Sequence, residues 1–176
     1  MSGHNKFSKI KHLKAKNDAQ KSKHFGKLVR LITVEAKIAK GNLSSPGLVA
    51  AIDKARKENM PNDTIDRAIK KAATDNSATM ENIIYETYGP GGVAILISAL
   101  TDNRNKSAQE IKHILSQNGL ELASPGSASW AFQKTHEGWT PTTTIPLSEQ
   151  DIPVLQKVVE DLEENDDVQD VFTNAE

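Results

Sequence analysis

The spacing of apolar residues is helical alone up to about residue 74 and turns strand-like for the first time near residue 80, and no other feature restricts the possible folds as strongly. Between residues 18 and 40, Phe25, Leu28, Val29, Ile32, Ala36 and Ala39 recur three or four apart, as one face of a helix does. Gly41-Asn42 suits its end. Ser44-Ser45-Pro46 then supplies a cap and an early helical proline. Leu48, Ala51, Ile52 and Ala55 give a second helix to about Asn59. After Pro61-Asn62-Asp63, a third stripe of Ile65, Ala68, Ile69 and Ala72 ends near Thr74. Three short amphipathic helices close a core only by packing together, so residues 18–74 are expected to form a helical bundle behind a leader at 1–17.

Residues 75–80 look like a linker, and beyond them the pattern is that of strands. Ile83 to Tyr88 and Val93 to Leu100 read as a hairpin around a Gly89-Pro90-Gly91-Gly92 turn. The second strand is nearly continuous in apolar residues, as a strand covered on both faces would be. A helix follows over 103–117, stopped by Asn118-Gly119. Strands are expected at Ser127 to Gln133, with Ala128, Trp130 and Phe132 on one side, and at Trp139 to Leu147. Ser148 and Asp151 cap a last helix carrying Ile152, Leu155, Val158, Val159 and Leu162, and Val168 to Thr173 is the final strand. The expected class is α+β: a three-helix bundle with a basic leader, then, over 81–176, a ferredoxin-like β-α-β-β-α-β domain with one extra hairpin strand.

Charge divides at almost the same place. Residues 1–73 hold 17 basic and 6 acidic side chains, whereas residues 74–176 hold 5 basic and 17 acidic. The formal net charge of −1 conceals two oppositely charged halves. Dense lysine attracts polyphosphate at long range and binds it by releasing counterions, so nucleic acid is the first partner to consider for the basic half. The candidate contacts are Lys6, Lys9, Lys11, Lys14, Lys16, Lys21, Lys23, Lys27 and Arg30, with His12 beside them. Lysine is a point charge, while reading a guanine edge usually takes the fork of arginine, so this set predicts affinity with little sequence discrimination. Phe7 among the lysines either stacks on an exposed base or pins its segment to the helices. Arg104 and Lys106 stand at a helix N-terminus, where backbone amides favour anions. Asp102 or Asn103 acting simply as a cap is the equal alternative there.

Other chemistries find little support. No nucleophile stands beside a base, and the acids Glu160, Asp161, Glu163, Glu164, Asp166 and Asp167 read as a solvated helix face, so no catalytic residue is expected. His4, His12 and His24 lack metal-ligand spacing, and the chain has no cysteine, so neither a metal nor a cofactor is expected. Gly89-Pro90-Gly91-Gly92 lacks the Lys-Ser/Thr of a phosphate loop and joins two strands. No stretch approaches the roughly 20 apolar residues that span a bilayer, which points to a soluble protein with no membrane partner.

Several motifs then carry a resemblance. Gly3-His4-Asn5-Lys6-Phe7, Ile10-Lys11-His12, Ala50-Ala51-Ile52-Asp53-Lys54-Ala55, Asn59-Met60-Pro61, Tyr88-Gly89-Pro90-Gly91-Gly92-Val93-Ala94 and Leu100-Thr101-Asp102-Asn103-Arg104-Asn105 together resemble the YebC/PmpR family, in the family's order. The resemblance implies a cytoplasmic DNA-binding transcriptional regulator. Mitochondrial relatives imply the alternative of a translational activator bound to ribosomal RNA. A module binding a ribosome or other protein partner through the acidic half is the third reading. Phe7 stands where the family more often has tryptophan, and between Gln133 and Trp139 longer members insert a whole lobe that is replaced here by a short connection.

Overall fold

The computed structural model describes residues 18–176, with side chains from residue 21 onward. They form two compact units, one ending at Met80 and the other running from Glu81 to Glu176.

The first unit contains α1 (Asp18–Ala39), α2 (Pro46–Lys57) and α3 (Asn62–Ala72), with α1 packed on both of the others. Its core is the set of small and branched residues that the helical spacing selects: Leu28, Ile32, Ala36, Leu48, Ala51, Ala55, Ile65 and Ala68. Thr33 is also buried, and its hydroxyl satisfies itself on the Val29 carbonyl at 2.9 Å within α1. The end of α2 shows how local chemistry sets a boundary. Asn59 adopts φ +62, its N–H reaches Arg56 O, and the Met60 N–H reaches Ala55 O at 3.0 Å. This crossed pair satisfies the last carbonyls of the helix and sends the buried Met60 side chain into the core before Pro61 starts α3.

The second unit contains β1 (Glu81–Tyr88), β2 (Ala94–Thr101), α4 (Arg104–Gln117), β3 (Phe132–Thr135), β4 (Gly138–Pro141), α5 (Asp151–Glu163) and β5 (Val168–Thr173). Strand β2 lies between β1 and β5, antiparallel to both, and all eight of its residues are buried. Ile95, Ile97 and Ala99 face Ile111 and Leu115 of α4 and Leu155, Val158 and Leu162 of α5. Ala94 and Leu96 face Ala128, Ala131 and Phe132 on the opposite side. A continuous apolar strand is what such two-sided cover requires.

The α+β class and the β-α-β-β-α-β element order stand, but hydrogen bonding divides the strands into two ladders rather than one. The edge of β2 opposite β5 is filled by β1, in register from Glu81↔Thr101 to Tyr88↔Ala94. Strands β3 and β4 pair only with each other and lie against the sheet face through Phe132 and Trp139. The expected strand from Ser127 is a 3-10 turn over Ser129–Ala131, and pairing starts only at Phe132. The strand expected over Trp139 to Leu147 ends at Pro141, after which only Ile145 makes a bridge, to Ala175.

Candidate nucleic-acid interface

Helix α1 carries the described part of the predicted basic set. At a hundred degrees per residue, Lys23, Lys27 and Arg30 fall on the side away from Leu28 and Ile32, which are driven into the bundle core. Lys21 is exposed; Lys23, Lys27 and Arg30 are half-buried. Lys6, Phe7, Lys9, Lys11, His12, Lys14 and Lys16 lie outside the described residues.

The same face continues for two more turns and borders a groove of about 480 Å³. One wall is α1, from Gly26 through Val29, Arg30 and Val34 to Ile38; the other is the stretch from Asp75 to Met80, and Lys71 of α3 stands at the rim. Two side chains of α1 hold the second wall in place. The Arg30 Nε–H points to Met80 Sδ at 3.1 Å, and Lys37 Nζ lies 3.1 Å from Asp75 and 3.3 Å from Ser77 Oγ. The Ser77 backbone N–H also donates to Asp75 at 2.9 Å. That backbone donor, with the Ser77 hydroxyl and then Lys37, holds the Asp75 carboxyl down at a pKa of about 2. Residues 75–80, read from sequence as a linker, thus fold back along α1. Lys37 and Lys71 were absent from the predicted set. Continuing the stripe of Lys23, Lys27 and Arg30 two turns further reaches Lys37, but no local pattern announces Lys71 or Asp75.

Arg104 and Lys106 belong to the second unit. The Asn103 side chain accepts from the Lys106 N–H at 3.1 Å, so Asn103 is the cap of α4. Arg104 pairs with Glu81 at 2.8 Å, which raises the guanidinium's pKa further, and Lys106 lies 3.6 Å from Glu110. The acidic neighbours offset both cations.

Sequence reasoning also passed over Glu86. It is 5% exposed, on the sheet face that carries Ala94 and Leu96. Its carboxylate accepts the backbone N–H groups of Gly126 at 2.7 Å, Ala128 at 2.7 Å and Ser129 at 2.8 Å. Burial pushes its pKa up, but these donors together outweigh burial and leave it below the ordinary value. The clamp fixes the turn that carries Trp130, which is 61% exposed and donates its indole N–H to Tyr88 Oη at 3.0 Å. The sequence signal was an acid inside the expected strand, between Tyr85 and Thr87.

Among the described residues, no helix is long and apolar enough to cross a membrane. Comparison with known proteins adds the following. The sequence model of the TACO1/YebC protein N-terminal domain matches residues 5–75, and that of the TACO1/YebC second and third domain matches residues 80–137 and 134–175. The two stretches of the latter meet in the β3–β4 turn, where longer members are expected to carry an inserted lobe. A probable transcriptional regulatory protein of Fervidobacterium nodosum is 47% identical over 173 residues, covering 96% of this chain and 68% of that one. One of the same description from Thermotoga petrophila is 42% identical over 179 residues, covering 100% and 71%. The crystal structure of a conserved hypothetical protein from Aquifex aeolicus superposes with a TM-score of 0.77 at 32% identity, covering 95% of each chain.

Proposed function

The chain belongs to the TACO1/YebC family, called YebC/PmpR above, and from that premise we propose that it is a cytoplasmic, non-catalytic regulator of gene expression that grips the backbone of a nucleic acid. The lysines of residues 6–16, together with Lys21, Lys23, Lys27 and Arg30, hold the phosphates. The observation that carries this reading is the concentration of 17 basic against 6 acidic side chains in residues 1–73, part of it on one side of α1. Both relatives are described as probable transcriptional regulatory proteins, which favours DNA as the polymer. The −12 formal charge of residues 74–176 repels phosphate, and this half holds a protein partner instead.

Fluorescence anisotropy with a labelled oligonucleotide, titrated at several salt concentrations, tests the proposal. About six phosphate contacts predict a loss of affinity of about 10³-fold between 50 and 200 mM salt. A flat salt response removes the basic leader and α1 from the role assigned to them.

A second reading, a translation factor on ribosomal RNA, is favoured by the predominance of lysine and the lack of a helix-turn-helix pattern, which leave sequence-specific operator reading unsupported. Sedimentation of lysate on a low-salt sucrose gradient separates the two. Comigration with ribosomes after nuclease removal of DNA selects the RNA reading, and its absence selects DNA.

A further inference from the structure

We propose that the groove beside α1 takes an unpaired nucleobase, so that the strand this protein prefers is single-stranded nucleic acid rather than duplex. The inference rests on the phosphate-gripping role just given to the basic face of α1 and specifies what that face holds.

Three observations carry it. The groove's lining includes the apolar Val29, Val34, Ile38, Ala78 and Met80, and its 480 Å³ lies within the range of small-ligand sites. Three of its lining residues are cationic, Arg30, Lys37 and Lys71, and one is acidic, Asp75, which lies 3.1 Å from Lys37. An apolar slot edged by cations matches a base with its phosphodiester, since stacking works on the base faces and charge on the backbone. The third is Gly26, which lines the groove one turn before Arg30. Glycine is among the poorest residues for a helix interior, yet a Cβ at Gly26 would meet no protein atom within 4 Å. Packing does not require glycine there, and it leaves the mouth of the groove open.

The test uses the full chain and three labelled probes at one salt concentration: a single-stranded 12-mer, its duplex, and an abasic strand of equal length. The abasic strand keeps the phosphates and lacks the bases. The single strand is expected to bind about 5- to 150-fold more tightly than the abasic one, the range of one stacked base, and more tightly than the duplex. Gly26→Leu is expected to abolish the preference over the abasic strand while leaving the melting temperature unchanged or higher. Equal affinity for base-bearing and abasic strands in the unaltered chain overturns the proposal while leaving the phosphate-gripping role intact, and this comparison does not depend on how the variant folds. A preference that survives Gly26→Leu in a folded protein also overturns it. No binding to any probe at 50 mM salt defeats both readings.

Discussion

Replacing Glu86 by glutamine removes one charge and changes almost no volume, so it isolates what the buried carboxylate does. In the native protein one oxygen accepts from Ala128 and Ser129 at 2.7 and 2.8 Å and the other from Gly126 at 2.7 Å. The glutamine carbonyl can keep the Ala128–Ser129 pair, each bond falling from charge-assisted to neutral strength at about 1 kcal/mol apiece. Its NH₂ then faces the Gly126 N–H, donor against donor. Gly126 is exposed and can turn to water, so about 1 kcal/mol more is lost. Relief of burying the charge returns more than any one of these bonds supplied but less than their sum, leaving a net destabilisation of about 1 kcal/mol. The sign with pH follows from the lowered pKa. A carboxylate depressed below 4.5 contributes stability that is fully present above 4.5 and is lost as pH falls through the folded value. The gap between native and Glu86→Gln protein should be widest at pH 7 and should shrink below pH 4.5. Urea unfolding followed by tryptophan fluorescence at pH 7 and pH 4 measures it, since Trp130 rides on the clamped turn. An equal gap at both values, or no gap at pH 7, refutes the reasoning that three backbone donors outweigh burial.

The other expectations are more local. Gly138 holds φ +121, and a Cβ there would sit 2.7 Å from the Phe172 ring, so Gly138→Ala should cost about 1–3 kcal/mol in denaturant unfolding through steric overlap and a strained backbone. Asn103→Ala removes the cap of α4 and should cost about 1 kcal/mol by the same assay. The Asp75 carboxyl should titrate near pH 2 by NMR, and Lys37→Gln should raise it only part of the way to 3.8 because the Ser77 donors remain. The stabilisation that Asp75 contributes is present above pH 3.8 and fades toward pH 2.

Much of this fold is written locally, and those parts were readable. Every helix has an apolar stripe at its own period, and the stops at Asn59 and Gly119 are single residues at positive φ. The burial of β2 on both faces followed from its run of apolar residues. What escaped depends on contacts remote in sequence. Trp130 alternates with Ala128 and Phe132 and so reads as a strand residue, but the Ala128 and Ser129 amides are taken by Glu86, more than forty positions earlier, and the chain turns there. Which strand fills the free edge of β2 is likewise decided between β1 and β4 in space, not by either sequence. At the candidate site, the cationic stripe of α1 was legible as far as Arg30. The groove was not, because its second wall is tied back by Lys37–Asp75 and Arg30–Met80.

Glutamine at Lys6, Lys9, Lys11, Lys14 and Lys16 together, followed by the salt dependence of DNA binding in the full chain, puts the gripping role of the leader most directly at risk. If each lysine neutralises one phosphate, the plot of log affinity against log salt should become shallower by about 4.5. A slope identical to that of the unaltered protein would show that the leader holds no phosphate.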